Sequence, residues 1–306
     1  MSQNERCSVC IRECPLGQSF CQRRDDRGRL KYPNVFSAIY ADHLFDKPIV
    51  YLTKNIKVLS LGSWGCNLRC LGCQNAGLSW TTTGEGLGAR ELDAKAIVGL
   101  AARSGCQGLC YTYNEPAILL EAIVDIARAA KQAGLLNIYI TNSTLTGVSV
   151  QQLAPFIDAV AADIKSLEDG FYHLYCGAEG ISDVAQKILS CIRLFHEAGC
   201  HVEVRTNVIP SANDKDENFR GIADWIRTYL GEKTPWHITR FFPAHRLSHV
   251  PATSTQTMLK AQAIGLKAGL KHVHAHFNKG CDCANEASLI KADGDENHLS
   301  AKSCCE

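Results

Sequence analysis

Long hydrophobic runs, an excess of charge of one sign and a secretion signal are all missing from this sequence of 306 residues. No window of about 18 residues is continuously apolar, so the pattern predicts no membrane-spanning helix. The formal net charge is +1, which gives no support to a protein that coats nucleic acid or another polyanion. Residues 1–7 lack the apolar core of a signal peptide. We therefore expect a cytoplasmic protein with neither a membrane nor a nucleic acid among its partners.

A glycine-rich dinucleotide fingerprint is missing as well, because the glycine cluster of residues 84–88 lies in a predicted loop and follows no predicted strand. The chain instead repeats one pattern, a short apolar run followed by a longer run of helical period. Strands are predicted over 57–62, 108–112, 137–141, 157–164, 201–209, 236–241 and 271–276, and helices over 91–104, 117–133, 148–156, 184–198, 217–230 and 255–268. Six or seven such units predict a parallel sheet with right-handed helical crossovers, and we favour a full or partial (β/α) barrel. Functional side chains then belong at the carboxyl ends of the strands.

Cysteine, in contrast, is abundant, with 16 residues. Because no secretion signal is visible and the chain is long enough to build a full core, reduced thiols and metal ligation are favoured over disulfides. Most of the cysteines fall into three groups: Cys7, Cys10, Cys14 and Cys21; then Cys66, Cys70 and Cys73; then Cys281, Cys283, Cys304 and Cys305. The other five show no ligand-like spacing and are predicted to lie in the core: Cys106, Cys110, Cys176, Cys191 and Cys200.

The central group follows the first predicted strand with C-x3-C-x2-C spacing, so three thiolates converge within one short loop. A closed tetrahedral zinc site takes four protein ligands, and a cubane iron–sulfur cluster normally takes four cysteines. Three cysteines leave one iron without a protein ligand and therefore open to a substrate or cofactor. Cys66, Cys70 and Cys73 are thus predicted to hold a catalytic 4Fe-4S cluster. The alternative is a zinc loop completed by a distant fourth residue.

This loop resembles the signature of radical S-adenosylmethionine (SAM) enzymes. More narrowly, the chain resembles the pyruvate formate-lyase activating-enzyme-like branch, and within it the radical SAM enzyme of the AmmeMemoRadiSam system. The residues that carry the resemblance are Cys66 to Asn75, Tyr111 to Pro116, Thr141-Asn142, Asp163 to Lys165, Cys176 to Ala178, Val208 to Pro210 with Asn213-Asp214, and Trp236 to Phe241. The resemblance implies a partial (β/α)6 TIM-like barrel over residues 36–278. One departure is Phe242, where the related pattern often has histidine.

Several polar residues at strand ends are predicted to contact SAM. The resemblance implies that Glu115 faces the SAM amino group, although a first-turn helix charge would also suit that position. Asp163 and Lys165 lie on one face of a strand by their period-two spacing, and they are predicted either to hold the methionyl part of SAM or to form a salt bridge. The remaining expected contacts to SAM or substrate are Asn142 beside Thr141, Arg205, Asn207 and Arg240.

The two outer cysteine groups are predicted to lie outside the barrel, in a segment 1–35 and a tail 279–306. The first group has C-x2-C-x3-C-x6-C spacing, a complete ligand set for an auxiliary iron–sulfur cluster or for zinc, with unligated thiols as the remaining alternative. Cys304 and Cys305 are adjacent and seldom bind one metal together. A mobile dithiol tail would instead close over the active site, carry redox equivalents or hold a thiophilic substrate such as a trivalent metalloid.

The resemblance implies that the cluster reductively cleaves SAM to methionine and a 5′-deoxyadenosyl radical, which abstracts hydrogen from a substrate. Glycyl-radical activation of a partner enzyme, a peptide and a small molecule all remain open as targets. A flavodoxin or ferredoxin is the expected one-electron donor. Two alternatives stand beside this oxidoreductase: a radical SAM-type transferase acting on a metalloid held by the tail, and a non-enzymatic zinc or iron–sulfur adaptor.

Overall fold

The computed structural model describes residues 5–277, and a single curved sheet organises them. Its strands and those of a small ribbon are β1 (Val35–Phe36), β2 (Ala38–His43), β3 (Lys57–Gly62), β4 (Arg90–Glu91), β5 (Gly108–Tyr111), β6 (Leu136–Thr141), β7 (Ala159–Asp163), β8 (His201–Val208), β9 (Trp236–Arg240) and β10 (Val273–His276). The helices are α1 (Ala76–Ser79), α2 (Ala94–Arg103), α3 (Leu120–Gln132), α4 (Gly147–Leu153), α5 (Asp169–Cys176), α6 (Val184–Glu197), α7 (Asp216–Tyr229) and α8 (Thr255–Lys267). Over these residues, none of the helices has the length and hydrophobicity needed to cross a bilayer.

The main sheet has the strand order β10-β9-β8-β7-β6-β5-β3-β2. Its seven strands from β3 to β10 are parallel, and β2 pairs antiparallel with β3 at one edge. The two outer strands do not pair with each other, so the sheet curls without closing. The predicted partial (β/α)6 barrel is confirmed, with β10 following the sixth helical crossover.

The predicted strands and helices agree with the structure to within a few residues, and the differences have local causes. Helix α3 begins at Leu120 because Pro116–Leu119 form a 3-10 turn whose first residue is proline. Helix α2 begins at Ala94 because the Asp93 side chain accepts a hydrogen bond from the Ala96 N–H and caps it. Sequence reasoning missed β2, a largely exposed edge strand without a clear apolar alternation.

The inner face of the curved sheet is covered by the segment 44–56, which folds into the barrel. Leu44 and Ile49 are fully buried there against Val58, Cys110 and other inward-facing residues. Complete burial of one such side chain stabilises the fold by roughly 1.5–3 kcal/mol. This segment therefore fills part of the barrel interior.

A buried polar cluster anchors the same segment. Glu203 on β8 is inaccessible to solvent, and its Oε1 atom accepts hydrogen bonds from the N–H groups of Val50 at 2.9 Å and Tyr51 at 2.8 Å. The hydroxyl of Tyr51 lies 2.9 Å from Nε2 of His274 on β10. The barrel interior is thus polar on the side of β8 to β10 and apolar on the side of β3 to β7.

Acid should destabilise the protein in a pH range set by the histidines of this cluster. Burial and the neighbouring His237 lower the pKa of His274 to about 4 and that of His276 to about 3. Unfolding restores the ordinary value near 6.5, so the contribution to stability is complete above pH 6.5 and is lost as the pH falls through the folded values. We expect the free energy of unfolding to drop by at least about 3 kcal/mol between pH 6.5 and pH 4.

Urea unfolding followed by circular dichroism at a series of pH values checks this expectation. The double variant His274→Asn/His276→Asn should give a flatter profile across the same interval, whereas His196→Asn, at the exposed end of α6, should leave it unchanged. A wild-type profile that is flat down to pH 4 would contradict the prediction.

Candidate active site

One cavity of about 430 Å³ opens at the carboxyl ends of the parallel strands. Parallel strands place these ends at one edge of a barrel, and this is the edge where catalytic residues collect. The cavity lining includes ten residues that the sequence predicted for the cluster and for SAM or substrate: Cys66, Cys70, Cys73, Glu115, Asn142, Asp163, Lys165, Arg205, Asn207 and Arg240. The structure therefore brings together side chains that are separated by up to 174 residues in the chain, from Cys66 to Arg240.

The cysteine loop leaves β3 at Gly62 and is held from outside by α5. The N–H of Arg69 donates to the carbonyl of Cys176 at 2.8 Å, and the N–H of Leu71 donates to the carbonyl of Tyr175 at 2.9 Å. Gly65 has a φ of +79°, and a Cβ atom there would lie 3.0 Å from the carbonyl oxygen of Cys21. The sharp turn into the loop therefore requires glycine.

The three thiols of this loop suit an iron–sulfur cluster. Burial raises the pKa of Cys66 and of Cys73, so neither thiol ionises easily without a nearby positive charge, which iron supplies. The Leu68 N–H lies 3.5 Å from Sγ of Cys66, and Oγ of Ser79 lies 3.1 Å from Sγ of Cys73. Hydrogen bonds to cluster sulfurs tune the reduction potential. The three thiols are thus suited to cluster ligation, and Leu68 and Ser79 place hydrogen-bonding groups next to two of them.

A site for a single metal ion requires a different arrangement of ligands. In residues 5–277, no three or more His, Cys, Asp or Glu side chains are arranged to hold one metal ion. A cubane spreads its ligands around four irons, whereas a zinc ion draws them to one point. Neither the three thiols of this loop nor the four of the N-terminal segment form such a single-ion group in the residues that the structure describes.

Cys176 is a functional neighbour that sequence reasoning missed. It was predicted to be a core residue, and it is indeed 2% exposed, but it also lines the cavity. A hydrogen bond with Cys176, followed by burial, raises the pKa of Cys70 well above its usual range. The spacing of Cys176 in the sequence did not predict this position, because Cys176 lies 103 residues beyond Cys73 and only α5 brings it back to the loop.

Glu115 is a buried carboxylate without a cationic partner. It is inaccessible to solvent and accepts hydrogen bonds from the Thr141 hydroxyl at 2.7 Å and from the backbone and side-chain N–H groups of Asn142 at 2.7 Å and 2.9 Å. Burial raises its pKa, although these hydrogen bonds oppose the shift. In the part of the chain that the structure describes, Glu115 forms no ion pair. A buried carboxylate that faces a cavity in this way is suited to a ligand ammonium group.

Asp163, Lys165 and Arg205 form a buried charged triad. The Asp163 carboxylate accepts a hydrogen bond from Nε of Arg205 at 2.6 Å and another from Nζ of Lys165, which also donates to Oδ1 of Asn142 at 2.8 Å. Burial tends to raise the pKa of Asp163, but the charges of Arg205 and Lys165 outweigh it and lower the pKa below its usual range. The predicted salt bridge is thus present and lines the cavity, and the predicted contact with SAM stays a prediction.

Asn207 and Asn213 order the loop after β8. Nδ2 of Asn207 donates to Oγ1 of Thr239 at 3.2 Å, so its amide is partly engaged by β9. Nδ2 of Asn213 donates to the carbonyls of Lys165 at 2.8 Å and Asn207 at 3.0 Å, and thereby ties the ends of two strands together. Asn213 acts as a positioning residue for the cavity wall.

The N-terminal cysteine segment packs against the outside of the cysteine loop. The Ile11 N–H donates to the carbonyl of Thr144 at 2.8 Å, and Nε of Arg12 donates to the carbonyl of Asn67 at 2.8 Å. Arg23 is inaccessible to solvent, stacks on Trp64 with 3.9 Å between its guanidinium carbon and the ring centre, and leaves its buried Nε without a partner. The four cysteines of this segment lie outside the cavity lining.

Comparisons with known proteins agree with this geometry. The family model described as the radical SAM superfamily matches residues 63–225. An uncharacterized protein of Methanocaldococcus jannaschii is 31% identical over 296 residues, covering 93% of this chain and 86% of that protein. The pyruvate formate-lyase-activating enzyme of Clostridium pasteurianum is 26% identical over 181 residues, covering 56% of this chain and 72% of the enzyme.

A solved structure supports the fold independently. The radical SAM methyltransferase from Sphaerobacter thermophilus superposes with a TM-score of 0.54 at 16% sequence identity, covering 73% of this chain and 67% of that chain. These matches confirm the predicted radical SAM resemblance and its activating-enzyme-like relatives. The narrower resemblance to the AmmeMemoRadiSam enzyme stays a prediction.

Proposed function

The chain belongs to the radical SAM superfamily, and we propose that it cleaves SAM reductively in the cavity described above and removes hydrogen from a second substrate bound there. The family's cofactors are a 4Fe-4S cluster and SAM. When bound, the cluster supplies the electron that splits SAM into methionine and a 5′-deoxyadenosyl radical. The observation that carries the proposal is the convergence of Cys66, Cys70 and Cys73 with the unpaired carboxylate of Glu115 in one cavity.

The other cavity residues orient SAM and exclude water. Glu115 receives the amino group, because it is a buried carboxylate that forms no ion pair within residues 5–277. Lys165 attracts the carboxylate of SAM while Asp163 keeps that lysine in place, and Asn142 bridges Glu115 and Lys165 by hydrogen bonds. Arg205 and Asn207 contact the ribose or the second substrate, since both line the same cavity.

For the second substrate, a glycine residue in a partner enzyme, a peptide and a small molecule all remain open. The similarity to the activating enzyme of Clostridium pasteurianum supports the first of these. A flavodoxin or ferredoxin in the cytoplasm, where thiols stay reduced, serves as the electron donor. The transferase alternative relies on Cys281, Cys283, Cys304 and Cys305, which lie outside the described residues.

Anaerobic purification followed by chromatography tests the proposal. With SAM and dithionite, the protein should form 5′-deoxyadenosine and methionine in equal amounts, and the protein should contain acid-labile sulfide together with iron. Adding extract of the native cells containing deuterated metabolites or peptides should transfer deuterium into the deoxyadenosine. A protein that holds only zinc after anaerobic reconstitution, and forms no deoxyadenosine, would instead be the non-enzymatic adaptor.

We further propose that Cys7, Cys10, Cys14 and Cys21 hold an auxiliary iron–sulfur cluster. Arg23, which lies nearby, supports this assignment over free thiols. It is a buried cation that forms no ion pair in the described part of the chain. Burial lowers the pKa of Arg23, and the charge of Cys21 is the strongest influence that raises it. A buried cation without a carboxylate is costly unless thiolates compensate it. The contact of this segment with the cysteine loop would let it pass electrons inward.

The double variant Cys7→Ala/Cys14→Ala should lose about four irons per chain while it keeps the SAM-dependent signal of the main cluster. The reason is that Cys7 and Cys14 lie outside the lining of the cavity that holds the three central cysteines. Iron and sulfide analysis together with electron paramagnetic resonance measures both outcomes, and Cys191→Ala, a buried cysteine of α6, is the matched control. An unchanged iron content would show that these thiols bind no cluster, and zinc in place of the lost iron would identify a structural site.

A further inference from the structure

A continuous chain of hydrogen bonds runs through the polar half of the barrel interior. Nε2 of His276 lies 2.9 Å from Nδ1 of His237, Nε2 of His237 lies 2.7 Å from Oε2 of Glu203, and Oε1 of Glu203 lies 2.8 Å from Nε2 of His201. His237 and Glu203 are fully buried. The four side chains come from β8, β9 and β10, so the parallel register of these strands builds the chain.

The two ends of this chain reach different environments. His276 lines the active-site cavity together with Arg205 and Thr239. The side chain of His201, at the start of β8, is 28% exposed. The hydrogen bonds therefore connect the bottom of the cavity to the surface at the opposite end of the barrel.

The hydrogen-bond partners determine which nitrogen carries each proton. The carboxylate of Glu203 only accepts, so His237 donates its Nε2–H to it. Nδ1 of a neutral His237 then has no proton and accepts the Nε2–H of His276. That arrangement leaves Nδ1 of His276 with a free lone pair. A carboxylate that fixes the tautomer of one histidine, which in turn fixes the next, is a common way to prepare a base.

We propose that Glu203, His237 and His276 form a proton relay in which His276 is the general base for the second substrate. The inference rests on the proposed function, because it assigns the relay to the same cavity. It also defines the substrate class: the substrate carries an acidic O–H, N–H or C–H next to the carbon from which hydrogen is removed. A hydrogen atom and a proton then leave neighbouring positions of one molecule, and the radical anion that remains gives up one electron to an iron–sulfur cluster such as the auxiliary one proposed for the N-terminal segment, so that the substrate is oxidised by two electrons.

The acid–base step balances without an oxidant or reductant. The X–H bond of the substrate breaks heterolytically, the electron pair stays on X, and the proton joins Nδ1 of His276. The Nε2 proton of His276 moves to Nδ1 of His237. His237 becomes an imidazolium that is paired with the carboxylate of Glu203, and His276 is neutral again as the other tautomer. The exposed end at His201 lies beside the same carboxylate, where the stored charge is released to solvent.

The surroundings keep the relay neutral at rest. The titratable or charged groups around it are Arg205 of β8, which is paired with Asp163 of β7, then His274 of β10, His272 before it, and Tyr51 of the inserted segment. Burial and the nearby cation of Arg205 oppose a positive charge on His276 and outweigh the Glu203 carboxylate, which favours one. The proton is thus moved away from the cavity rather than kept there.

A purely structural cluster would have the same hydrogen bonds, since Glu203 also anchors Val50 and Tyr51. The two roles differ in how the histidines respond to each other. In a relay, the protonation of His276 depends on the charge of Glu203 although the two are not in contact through a direct hydrogen bond. In a structural cluster, Glu203→Gln would alter only the anchored segment.

Nuclear magnetic resonance of the full chain with ¹⁵N-labelled histidine separates the two roles without any turnover. We expect His237 to be the Nε2–H tautomer and His276 to donate from Nε2, and we expect Glu203→Gln to change the tautomer populations of both rings. His196→Gln, exposed at the end of α6, is the matched control and should move neither signal. A proton fixed on Nδ1 of His276, or tautomer populations that ignore Glu203→Gln in a folded variant, would overturn the relay.

Turnover provides a second readout. Two reactions are compared for each variant. In the first, deoxyadenosine is measured with SAM and dithionite alone. In the second, cell extract is added, and the deuterium-labelled deoxyadenosine and the product are measured. His276→Gln and Glu203→Gln should lower the ratio of product to total deoxyadenosine by about 10²-fold or more, and His276→Gln should remove the acidic limb of the product pH profile. An unchanged ratio would overturn the relay, whereas wild-type protein that forms no deoxyadenosine would refute the proposed function and leave the resonance result standing.

Discussion

Replacing Cys70 by alanine should reduce 5′-deoxyadenosine formation by at least about 10³-fold and remove about four irons per chain. Two cysteines cannot hold a cubane through three of its irons, and without the cluster SAM receives no electron. Cys70 is the central member of the loop, with Cys66 and Cys73 on either side of it. Anaerobic iron analysis and quantification of deoxyadenosine measure both losses on one preparation.

Two control variants make the result specific to the three-cysteine loop. Cys106→Ala removes another buried thiol, 5% exposed, and should cost only about 1 kcal/mol of stability while the iron content stays the same. Cys176→Ala removes the thiol that neighbours Cys70 and should also keep all the irons, because the fourth iron is open for SAM. Loss of the cluster in Cys176→Ala would instead make Cys176 a fourth protein ligand and exclude the proposed binding of SAM.

Replacing Asp163 by alanine should destabilise the protein by about 3 kcal/mol and weaken SAM binding. The substitution leaves the cations of Lys165 and Arg205 next to each other without the carboxylate that separates them, in side chains that are 13% and 27% exposed. Lys165 then loses the contact that keeps it directed toward Asn142. Urea unfolding at pH 7 and equilibrium binding of SAM to the reconstituted protein measure the two effects.

The stability that this triad contributes is lost at low pH. The pKa of Asp163 is lowered in the folded protein, so its stabilisation is complete above the unfolded value of about 3.9 and disappears as the pH falls through the folded value. At pH 7 the full effect is therefore measured. Asp125→Ala, which breaks an exposed pair with Arg128 on α3, is the control and should cost less than about 0.5 kcal/mol. A cost below about 1 kcal/mol for Asp163→Ala would mean that the triad is a solvated surface pair.

Local sequence signals were sufficient for the repeating strands and helices and for the cysteine loop. At each crossover, the apolar residues change from an alternating or continuous run to a helical period of about 3.6 residues. Three of the helices end at glycines with positive φ, which are Gly134, Gly199 and Gly269. Strand-end positions also located Glu115, Lys165 and Arg205, because parallel strands carry their functional groups at one edge. These signals depend only on neighbours in the chain.

Contacts between distant segments had no such signal. Cys176 has no ligand spacing of its own, and α5 alone returns it to Cys70. The inserted segment 44–56 has no regular period, yet Glu203 fixes it by accepting two of its backbone N–H groups. His237 and His276 are 39 residues apart and come into hydrogen-bond contact only through the pairing of β9 with β10.

The amino-acid sequence by itself determined the barrel units, the cluster loop and the polar residues at the strand ends, because each follows from spacing along one strand, helix or loop. Tertiary structure alone decided which strand ends share a cavity, that Glu115 has no cationic partner there, and that a carboxylate and three histidines connect that cavity to the opposite surface. The physical reason is that burial and hydrogen bonding between strands depend on register and curvature, which no local pattern specifies.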